Sequence, residues 1–204
     1  MKKVLLLLAD GFEMYEASVF VDVIGWNKIY GSKDTELHIC GLSKNLTSTF
    51  GVKIEVDILA AEVDPNDYSA LAVPGGFEIF GFYKDAFSGR FQDLIRRFNA
   101  DQKIISSICV GALPLAKSGI LKNRNATTYN HMGAERQDQL QALGATLVNE
   151  PIVIDGNVIT SWSPVTAIDV AFDLLERLTD ADNVAHIKKI MGFDQGQNQL
   201  SIAP

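Results

Sequence analysis

An apolar segment runs into a cysteine and then a glycine at residues 104–111, which read IISSICVG. The pattern predicts a strand at residues 103–108 and a helix at residues 109–117, so Cys109 falls on the turn between them. A nucleophile on a sharp strand-to-helix turn stands exposed above the sheet, as in the elbow of the α/β hydrolases. Gly111, two residues later, is expected to let the helix pack closely against the sheet. The stretch therefore indicates an α/β unit with a candidate nucleophile at the end of a strand.

Strands and helices alternate along the rest of the chain. Residues 4–9 form an unbroken apolar run, as expected of a parallel strand covered on both faces. The following helix carries its apolar residues on one face, and residues 70–73 end at the strong breaker Pro74-Gly75-Gly76. Residues 152–155 and 158–160 flank Gly156-Asn157 and predict a hairpin, and Ser163-Pro164 is a typical helix start. Further strands are predicted at 37–42, 49–56 (a small hairpin or edge strand) and 126–128, and further helices around 87–98, 136–143 and 183–191. The order predicts an α/β fold with a mainly parallel sheet.

Composition excludes several classes of protein. The 204 residues are 47% hydrophobic and 21% charged, with a net charge of −7, which argues against a nucleic-acid-binding surface. No apolar run approaches the ~18 residues of a membrane span, so no membrane association is expected. Cys40 and Cys109 are too few for a disulfide framework, and no residues have metal-ligand spacing. We expect a cytoplasmic protein with one domain at residues 1–193 and a polar, Gln-rich tail of low order at 194–204.

The candidate site lies beyond the carboxyl ends of the strands, where open α/β sheets bind their ligands. The helix N-terminus is expected to lower the pKa of the Cys109 thiol below about 8.5, although a small buried hydrophobe is the alternative reading. Cys40 has no such setting and is expected to serve in packing. Adjacent Gly75 and Gly76 leave amides free to face a ligand together with the amide of Val110, unless they form a plain tight turn.

Acidic residues and histidines are the other candidates for a role at the site. Glu13 and Glu16 open the first helix, where acidic residues commonly just complement the helix dipole. A buried carboxyl beside a thiolate would instead have to be protonated, with a raised pKa. His131 follows the strand that ends near Thr128 and is within reach of the site, although a structural or surface role is favoured for it, as it is for His38 and His186.

Taken together, these loops resemble the ThiJ/PfpI family, on the branch of the parkinsonism-associated protein deglycase. The matching segments are residues 5–16 (LLLLADGFEMYE), 21–23 (VDV), 73–76 (VPGG), 108–111 (ICVG) and 155–161 (DGNVITS). The resemblance extends from about Lys3 to Leu178. It implies a flavodoxin-like three-layer sandwich, a homodimer and no cofactor or metal.

The resemblance also implies roles for individual residues. Cys109 matches the family's nucleophilic, oxidation-sensitive cysteine, and Glu16 matches the glutamate that hydrogen-bonds it. Gly76 and Val110, beside Gly75, match the backbone donors of the anion pocket.

Three positions depart from related branches. Val110 stands where the protease and larger chaperone branches have His, so the Cys-His dyad is absent and peptidase activity is not expected. Tyr129 stands where the deglycase-like branch often has His, and a phenol, which ordinarily ionises only near pH 10, is a poor base but a fair hydrogen-bond donor. Phe50 lies at about the place of an arginine near the family's pocket.

Three functions are compatible with these residues. The first, which we favour, is a stress-protective protein whose Cys109 oxidises to sulfenic and then sulfinic acid. The second is a cofactor-free lyase or hydrolase of the glyoxalase or deglycase type, in which Cys109 attacks a small reactive carbonyl such as methylglyoxal. The third is an inactive domain of the same fold that binds another small molecule.

Overall fold

The computed structural model describes residues 1–193, so the tail predicted at 194–204 lies outside the described residues. The strands in this range are β1 (Lys2–Leu8), β2 (Thr35–Gly41), β3 (Asn45–Thr47), β4 (Lys53–Glu55), β5 (Ile58–Leu59), β6 (Ala70–Val73), β7 (Ile104–Ser107), β8 (Asn125–Ala126), β9 (Thr146–Leu147), β10 (Ile152–Asp155) and β11 (Val158–Ser161). The α-helices are α1 (Met14–Tyr30), α2 (Phe82–Ala86), α3 (Gly89–Ala100), α4 (Ala112–Lys117), α5 (Glu135–Ala142), α6 (Ala167–Leu178) and α7 (Ala181–Ile190). None of these helices combines the length and the apolar character needed to cross a membrane, as far as residues 1–193 are concerned.

A seven-stranded sheet forms the middle layer, in the order β10-β11-β7-β6-β1-β2-β5. Every neighbouring pair in it is parallel except β10 with β11, which form the predicted antiparallel hairpin around Gly156-Asn157. Short pairs, β3 with β4 and β8 with β9, lie outside this sheet. The mainly parallel α/β architecture predicted from the sequence is therefore confirmed.

Helices cover both faces of the sheet. The sequence of β1 is apolar throughout because both faces of this strand are buried. Leu5 and Leu7 pack into one buried cluster, while Leu6 and Leu8 pack into the other. The first cluster is closed by residues of α2, α3, α4 and α5, and the second by residues of α1, α6 and α7. The result is a three-layer sandwich with a hydrophobic core on each side of the sheet.

Local boundaries differ from the sequence prediction at several points, and the strand predicted at 126–128 is only Asn125–Ala126. The helix expected from residue 109 begins at Ala112, because a 3₁₀ turn, Cys109–Gly111, comes first. The hairpin expected within 49–56 has its strands at β3 and β4, so its turn occupies the start of that range. Ser163 and Pro164 do precede a helical turn, but the Ser163 side chain makes no capping hydrogen bond.

Strands β7, β6 and β1 are adjacent and parallel, so their carboxyl ends meet at one edge of the sheet. The chain leaves β7 at Cys109, leaves β6 at Gly75-Gly76, and leaves β1 toward Glu13 and Glu16. Three loops that are far apart in sequence are thereby brought side by side. This edge is where the fold assembles its candidate site.

Candidate functional site

Cys109 occupies a strained elbow between β7 and α4. Its φ of 57° lies in the left-handed region, which is costly for a residue with a Cβ, whereas the preceding Ile108 is extended. Gly111 allows the turn to close, because a Cβ there would lie 2.5 Å from the Val73 carbonyl oxygen. The predicted close approach of this turn to the sheet is thus present, and it fixes the thiol above the carboxyl end of β7.

Glu16 lies in the first turn of α1 and is almost fully buried. Its Oε2 atom accepts a hydrogen bond from the Gly75 amide at 2.7 Å. The same carboxyl is in hydrogen-bonding contact with the Cys109 thiol. Burial is the dominant effect, and it raises the pKa of Glu16 to about 8. The carboxyl is therefore neutral at pH 7 and carries a proton that it can donate.

The pKa of Cys109 moves in the direction opposite to the sequence expectation. Burial and the charge that Glu16 acquires on ionising raise the pKa of the thiol above its ordinary value, while a hydrogen bond from the Val110 amide opposes them. A helix N-terminus contributes typically 0.3–1 kcal/mol, or about 2 in the best cases, and here the α-helix has six residues and begins three residues later. Desolvation of a buried charge outweighs that contribution, so the expected lowering is wrong.

The sequence predicted that Gly75 and Gly76 would both turn their amides toward a ligand. In the structure the two glycines have different roles. Gly75 uses its amide on Glu16, and a Cβ there would lie 2.9 Å from the same carboxylate oxygen. Gly76 faces Phe12 across a β-bridge, and a Cβ on it would lie 2.4 Å from the Gly11 carbonyl oxygen. Within residues 1–193 the Gly76 amide has no protein acceptor. The Val110 amide is thus the backbone donor to the Cys109 sulfur, and the Gly76 amide, in the loop after β6, is left without a protein acceptor.

The segment after β8 runs beside the elbow. Thr128 Oγ1 donates to the Cys109 carbonyl oxygen at 3.0 Å, which places Tyr129 half-buried against the core that also contacts Cys109. His131 is exposed, and its ring makes edge contacts with Tyr129 and Trp162 at centroid distances of 5.7 and 5.8 Å. Tyr129 therefore belongs to the surroundings of the site, whereas His131 stands at its rim. Cys40 is fully buried and burial raises its pKa to about 12, as expected for a packing residue.

Two further side chains in this region, Tyr83 and Arg136, were not predicted from the sequence. Burial raises the pKa of Tyr83, on α2, the charge of Cys109 contributes to this increase, and the Arg136 guanidinium lies over the Tyr83 ring. Glu13 is the residue before α1, its pKa is raised by burial, and its charge acts on both Glu16 and Cys109. No motif marks Tyr83 or Arg136, because the fold brings them together from distant segments.

A mainly parallel sheet between two helical layers, with its functional loops at the carboxyl edge, is the flavodoxin-like architecture. Solved structures with the same arrangement include Drosophila melanogaster DJ-1beta, with a TM-score of 0.80 and 27% identity over 93% of this chain and 97% of that chain. Schizosaccharomyces pombe DJ-1 shares the fold with a TM-score of 0.78 and 22% identity, over 93% of this chain and 98% of that chain.

Sequence comparison gives the family. Residues 2–177 match the DJ-1/PfpI family. Drosophila melanogaster DJ-1alpha is 30% identical over 190 residues, which cover 93% of this chain and 83% of that protein. The uncharacterised protein MJ0967 of Methanocaldococcus jannaschii is 34% identical over 114 residues, 56% of this chain and 54% of its own length. The match to Arabidopsis thaliana DJ-1 homolog B covers 40% of that protein. The chain belongs to the DJ-1/PfpI family, which confirms the resemblance predicted from its motifs.

The buried proton on Glu16 predicts a pH-dependent stability. Below about pH 4.5 the carboxyl is protonated in both the folded and the unfolded chain. As the pH rises, the unfolded chain ionises first and the folded chain holds its proton until about pH 8, so stability falls across this window and levels off above it. Glu16→Gln is expected to remove this fall, which amounts to roughly 4 kcal/mol between about pH 5 and pH 8. Urea unfolding of both proteins across that range measures it.

Glu13→Gln is the matched control for this experiment. Burial also raises the pKa of Glu13, but a backbone hydrogen bond from Tyr15 opposes the effect. Its removal should therefore flatten the pH profile much less than removal of Glu16. Parallel profiles for wild type and Glu16→Gln would show that Glu16 is ionised in the folded protein at neutral pH.

Proposed function

We propose that this member of the DJ-1/PfpI family is a stress-protective protein of the cytoplasm in which Cys109 is the reactive, oxidation-sensitive residue. The observation that carries the proposal is the protonated Glu16 carboxyl held against the Cys109 thiol by burial and by the Gly75 amide. A neutral carboxyl does not repel a thiolate, and it can donate a hydrogen bond to the sulfur or to an oxygen added to it. This arrangement supports oxidation chemistry at the Cys109 sulfur.

Cys109 and Glu16 titrate as a pair rather than as independent groups. When the first proton leaves the pair, near pH 8, the second remains in the hydrogen bond between carboxyl and sulfur. One of the two forms of that singly protonated pair is a thiolate beside a neutral carboxyl, which is the nucleophilic form. The reactivity of Cys109 is therefore expected to increase as the pH rises through about 8, and the pair supplies the thiolate without a cationic partner.

Oxidation by peroxide then proceeds in two steps. The thiolate attacks one peroxide oxygen, the O–O bond breaks, and sulfenate and water form as the sulfur loses two electrons. A second peroxide converts sulfenate to sulfinate in the same way. The sulfinate is an anion, and the neutral Glu16 carboxyl can donate a short, charge-assisted hydrogen bond to one of its oxygens. Such a bond favours sulfinate as the product at which oxidation stops.

Mild peroxide treatment is expected to convert Cys109 mainly to sulfinate while Cys40 stays reduced. Cys40 is fully buried within β2, whereas Cys109 is only partly buried at the elbow, so peroxide reaches Cys109 far more readily. Glu16→Gln should leave Cys109 reactive but lower the yield of sulfinate relative to sulfenate and sulfonate, since an amide N–H donates a longer and weaker bond than a carboxylic O–H. Peptide mass spectrometry of both cysteines after a timed exposure gives the product ratio.

Glu13→Gln is the control, because Glu13 acts on Cys109 through its charge and not through a hydrogen bond to the sulfur. It should change the product ratio little. If Glu13→Gln altered the ratio and Glu16→Gln did not, the assignment of the pair would be wrong. Equal oxidation of Cys40 and Cys109 would instead remove the case for a selectively reactive cysteine and favour an inactive domain that binds a small molecule.

A second candidate function is supported by the Gly76 amide, which follows β6, the strand next to β7 in the sheet, and has no acceptor within residues 1–193. In a cofactor-free glyoxalase or deglycase reaction, the Cys109 thiolate would add to the aldehyde carbon of a small 2-oxoaldehyde and give a hemithioacetal. Glu16 would move a proton from that carbon to the neighbouring one, and the Gly76 amide would stabilise the oxyanion. Water then releases the 2-hydroxy acid and restores the thiol, so no external oxidant is needed. In this reaction Tyr129 would donate a hydrogen bond to substrate.

This alternative predicts lactate formation from methylglyoxal in the absence of glutathione. Cys109→Ala should abolish the activity, because no other thiol in residues 1–193 lies at the site. Cys40→Ala is the matched control and should retain the wild-type rate. Production of lactate at the same rate by wild type and Cys109→Ala would exclude the enzymatic function.

We propose further that the chain forms a homodimer, as the family resemblance implies. Of the large residues on α1, Phe20 is fully buried in its own core and cannot contribute to a dimer surface. Trp26 and Val21 on the same helix are partly exposed. An apolar groove beside α1, lined by residues that include Met14, Val21, Ile39 and Ile54, provides a surface that a second copy can cover.

Light scattering at micromolar concentration is expected to give about 45 kDa, twice the 22.3 kDa of one chain. Val21→Glu places a charge on the apolar groove and should shift the mass toward that of one chain. Ile154→Glu, an equally exposed aliphatic residue on the edge strand β10, should leave the dimer intact. A wild-type mass of about 22 kDa contradicts the dimer.

A further inference from the structure

Two phenylalanine rings stand in water beside the loop that holds Glu16. Phe50, in the turn between β3 and β4, is 73% exposed, and Phe77, two residues after Gly75, is 44% exposed. Their ring centroids lie 6.0 Å apart and the ring planes meet at 55°, so the two side chains form one apolar surface. Scattered apolar side chains are ordinary at a protein surface, whereas adjoining ones commonly mark a binding site.

Backbone hydrogen bonds hold the segments that carry these rings against the loop after β1. The Phe77 amide donates to the Gly11 carbonyl oxygen at 3.3 Å. Thr49, the residue before Phe50, donates from its amide to the Phe12 carbonyl oxygen and from its hydroxyl to the Gly11 carbonyl oxygen, both at 2.8 Å. The two segments are thereby fixed side by side, and the apolar surface exists before any ligand binds.

The contacts of Gly75 place this surface next to the reactive sulfur. A Cβ on Gly75 would lie 2.9 Å from Glu16 Oε2 and 3.1 Å from the Val110 amide nitrogen. These are the two groups that hydrogen-bond the Cys109 thiol. Phe77 is two residues further along the chain, so its Cα lies at most about 7.6 Å from that of Gly75. A substituent as large as a phenyl group, on a molecule that reacts with the sulfur, is therefore long enough to meet the Phe77 ring.

The course of the chain turns the Phe77 side chain to the same face as Gly75. Phe77 is extended, with φ of −111° and ψ of 132°, and Gly76 before it takes part in a β-bridge. Alternate residues of an extended chain point to the same face. A Cβ on Gly76 would meet the buried Phe82 ring at 2.4 Å, whereas one on Gly75 faces the hydrogen-bonding partners of the sulfur. Phe77 therefore lies on the face that carries those partners.

The charges around the sulfur favour an uncharged reactant. The ionisable side chains that act most strongly on the Cys109 thiol are two carboxyls, Glu16 and Glu13. An ionised carboxyl repels an anionic reactant, whereas it does not repel a hydroperoxide, which is uncharged at neutral pH. An apolar substituent on that hydroperoxide gains free energy by leaving water for the two rings. Charge and apolar surface thus favour the same kind of reactant.

We infer that Phe50 and Phe77 are specificity-determining residues that bind the apolar substituent of an organic hydroperoxide, so that Cys109 is oxidised by alkyl or aryl hydroperoxides in preference to hydrogen peroxide. The inference rests on the proposed oxidation of Cys109 and names its oxidant. The thiolate attacks the terminal oxygen of the hydroperoxide, an S–O bond forms and the O–O bond breaks. The sulfur loses two electrons, and the alcohol leaves with the proton of the hydroperoxide, so that the thiolate becomes a sulfenate.

The rates at which cumene hydroperoxide and hydrogen peroxide oxidise Cys109 test this inference. Both reagents are uncharged and react in the same way, so the ratio of their rates cancels changes in the pKa of the thiol. Peptide mass spectrometry after timed exposure, at one fixed pH, follows the loss of reduced Cys109. The wild-type ratio is expected to exceed that of glutathione under the same conditions, because the folded protein offers the two rings and the small thiol does not.

Phe50→Ala and Phe77→Ala are each expected to lower the ratio by about 2- to 10-fold, the range that one aromatic contact contributes. Phe77→Leu keeps an apolar side chain and should retain more of the ratio than Phe77→Ala. A merely structural role of the rings would change both rates together and leave the ratio unaltered. A higher ratio in the Ala variants would show that the rings obstruct the larger reagent, and it would contradict the inference.

Phe193→Ala is the matched control. Phe193 is 53% exposed, close to the value for Phe77, but it follows α7 and packs against Phe172 of α6. Its ratio should equal that of wild type. An equal fall in the ratio with Phe193→Ala, or no fall with Phe50→Ala and Phe77→Ala, would overturn the inference. Failure of both reagents to oxidise Cys109 in wild type would instead contradict the proposed oxidation itself.

A second copy of the chain is the alternative occupant of this surface. Light scattering of Phe50→Ala and Phe77→Ala separates the two occupants, and each variant is expected to keep the wild-type mass. A mass reduced to that of one chain, together with an unchanged ratio of rates, would assign the two rings to the dimer contact and overturn the inference.

Discussion

The hydrogen-bonded contact between the Glu16 carboxyl and the Cys109 thiol is the constraint on which the rest of the site depends. It requires a carboxyl buried at the start of α1, a sulfur raised above β7, and the Gly75 amide as a third partner at 2.7 Å. Each of the three comes from a different loop, and strands β1, β6 and β7 are neighbours in the sheet. The sheet order therefore determines which loops can meet. Because the Glu16 carboxyl is buried, it keeps its proton at neutral pH, and this proton lies between the groups that the three loops bring together.

The backbone around this contact leaves little freedom. Cys109 has a left-handed φ, a conformation that costs of order 1–3 kcal/mol for a residue with a Cβ and persists when its surroundings enforce it. Gly111 enforces it from one side by lying against the Val73 carbonyl, and the Thr128 hydroxyl binds the Cys109 carbonyl from another. Gly75 lies so close to Glu16 that a side chain there would meet the carboxylate oxygen. The strain at the elbow is thus balanced by packing that also fixes the direction of the sulfur.

Local patterns predicted the parts of the site that depend on short stretches of chain. The apolar run before Cys109, the paired glycines after β6 and the acidic start of α1 each lie within a few residues, and their placement after strands indicates one edge of the sheet. The direction of the Cys109 pKa could not be obtained in this way. It depends on the balance between a weak helix dipole and the burial of a charge, which is set by all the loops together. The contact between the Phe50 and Phe77 rings joins two separate loops and follows no motif, so only the fold reveals it.

The buried proton on Glu16 affects the stability of the fold and the reactivity of Cys109 in opposite ways. A buried neutral carboxyl costs the folded chain stability as the pH rises toward 8, because the unfolded chain can ionise and the folded chain cannot. A Gln at position 16 would avoid that cost, yet it would not exchange a proton with the sulfur. Under the proposed function, Glu16 serves the chemistry at Cys109 rather than packing, as is usual where a functional site opposes stability.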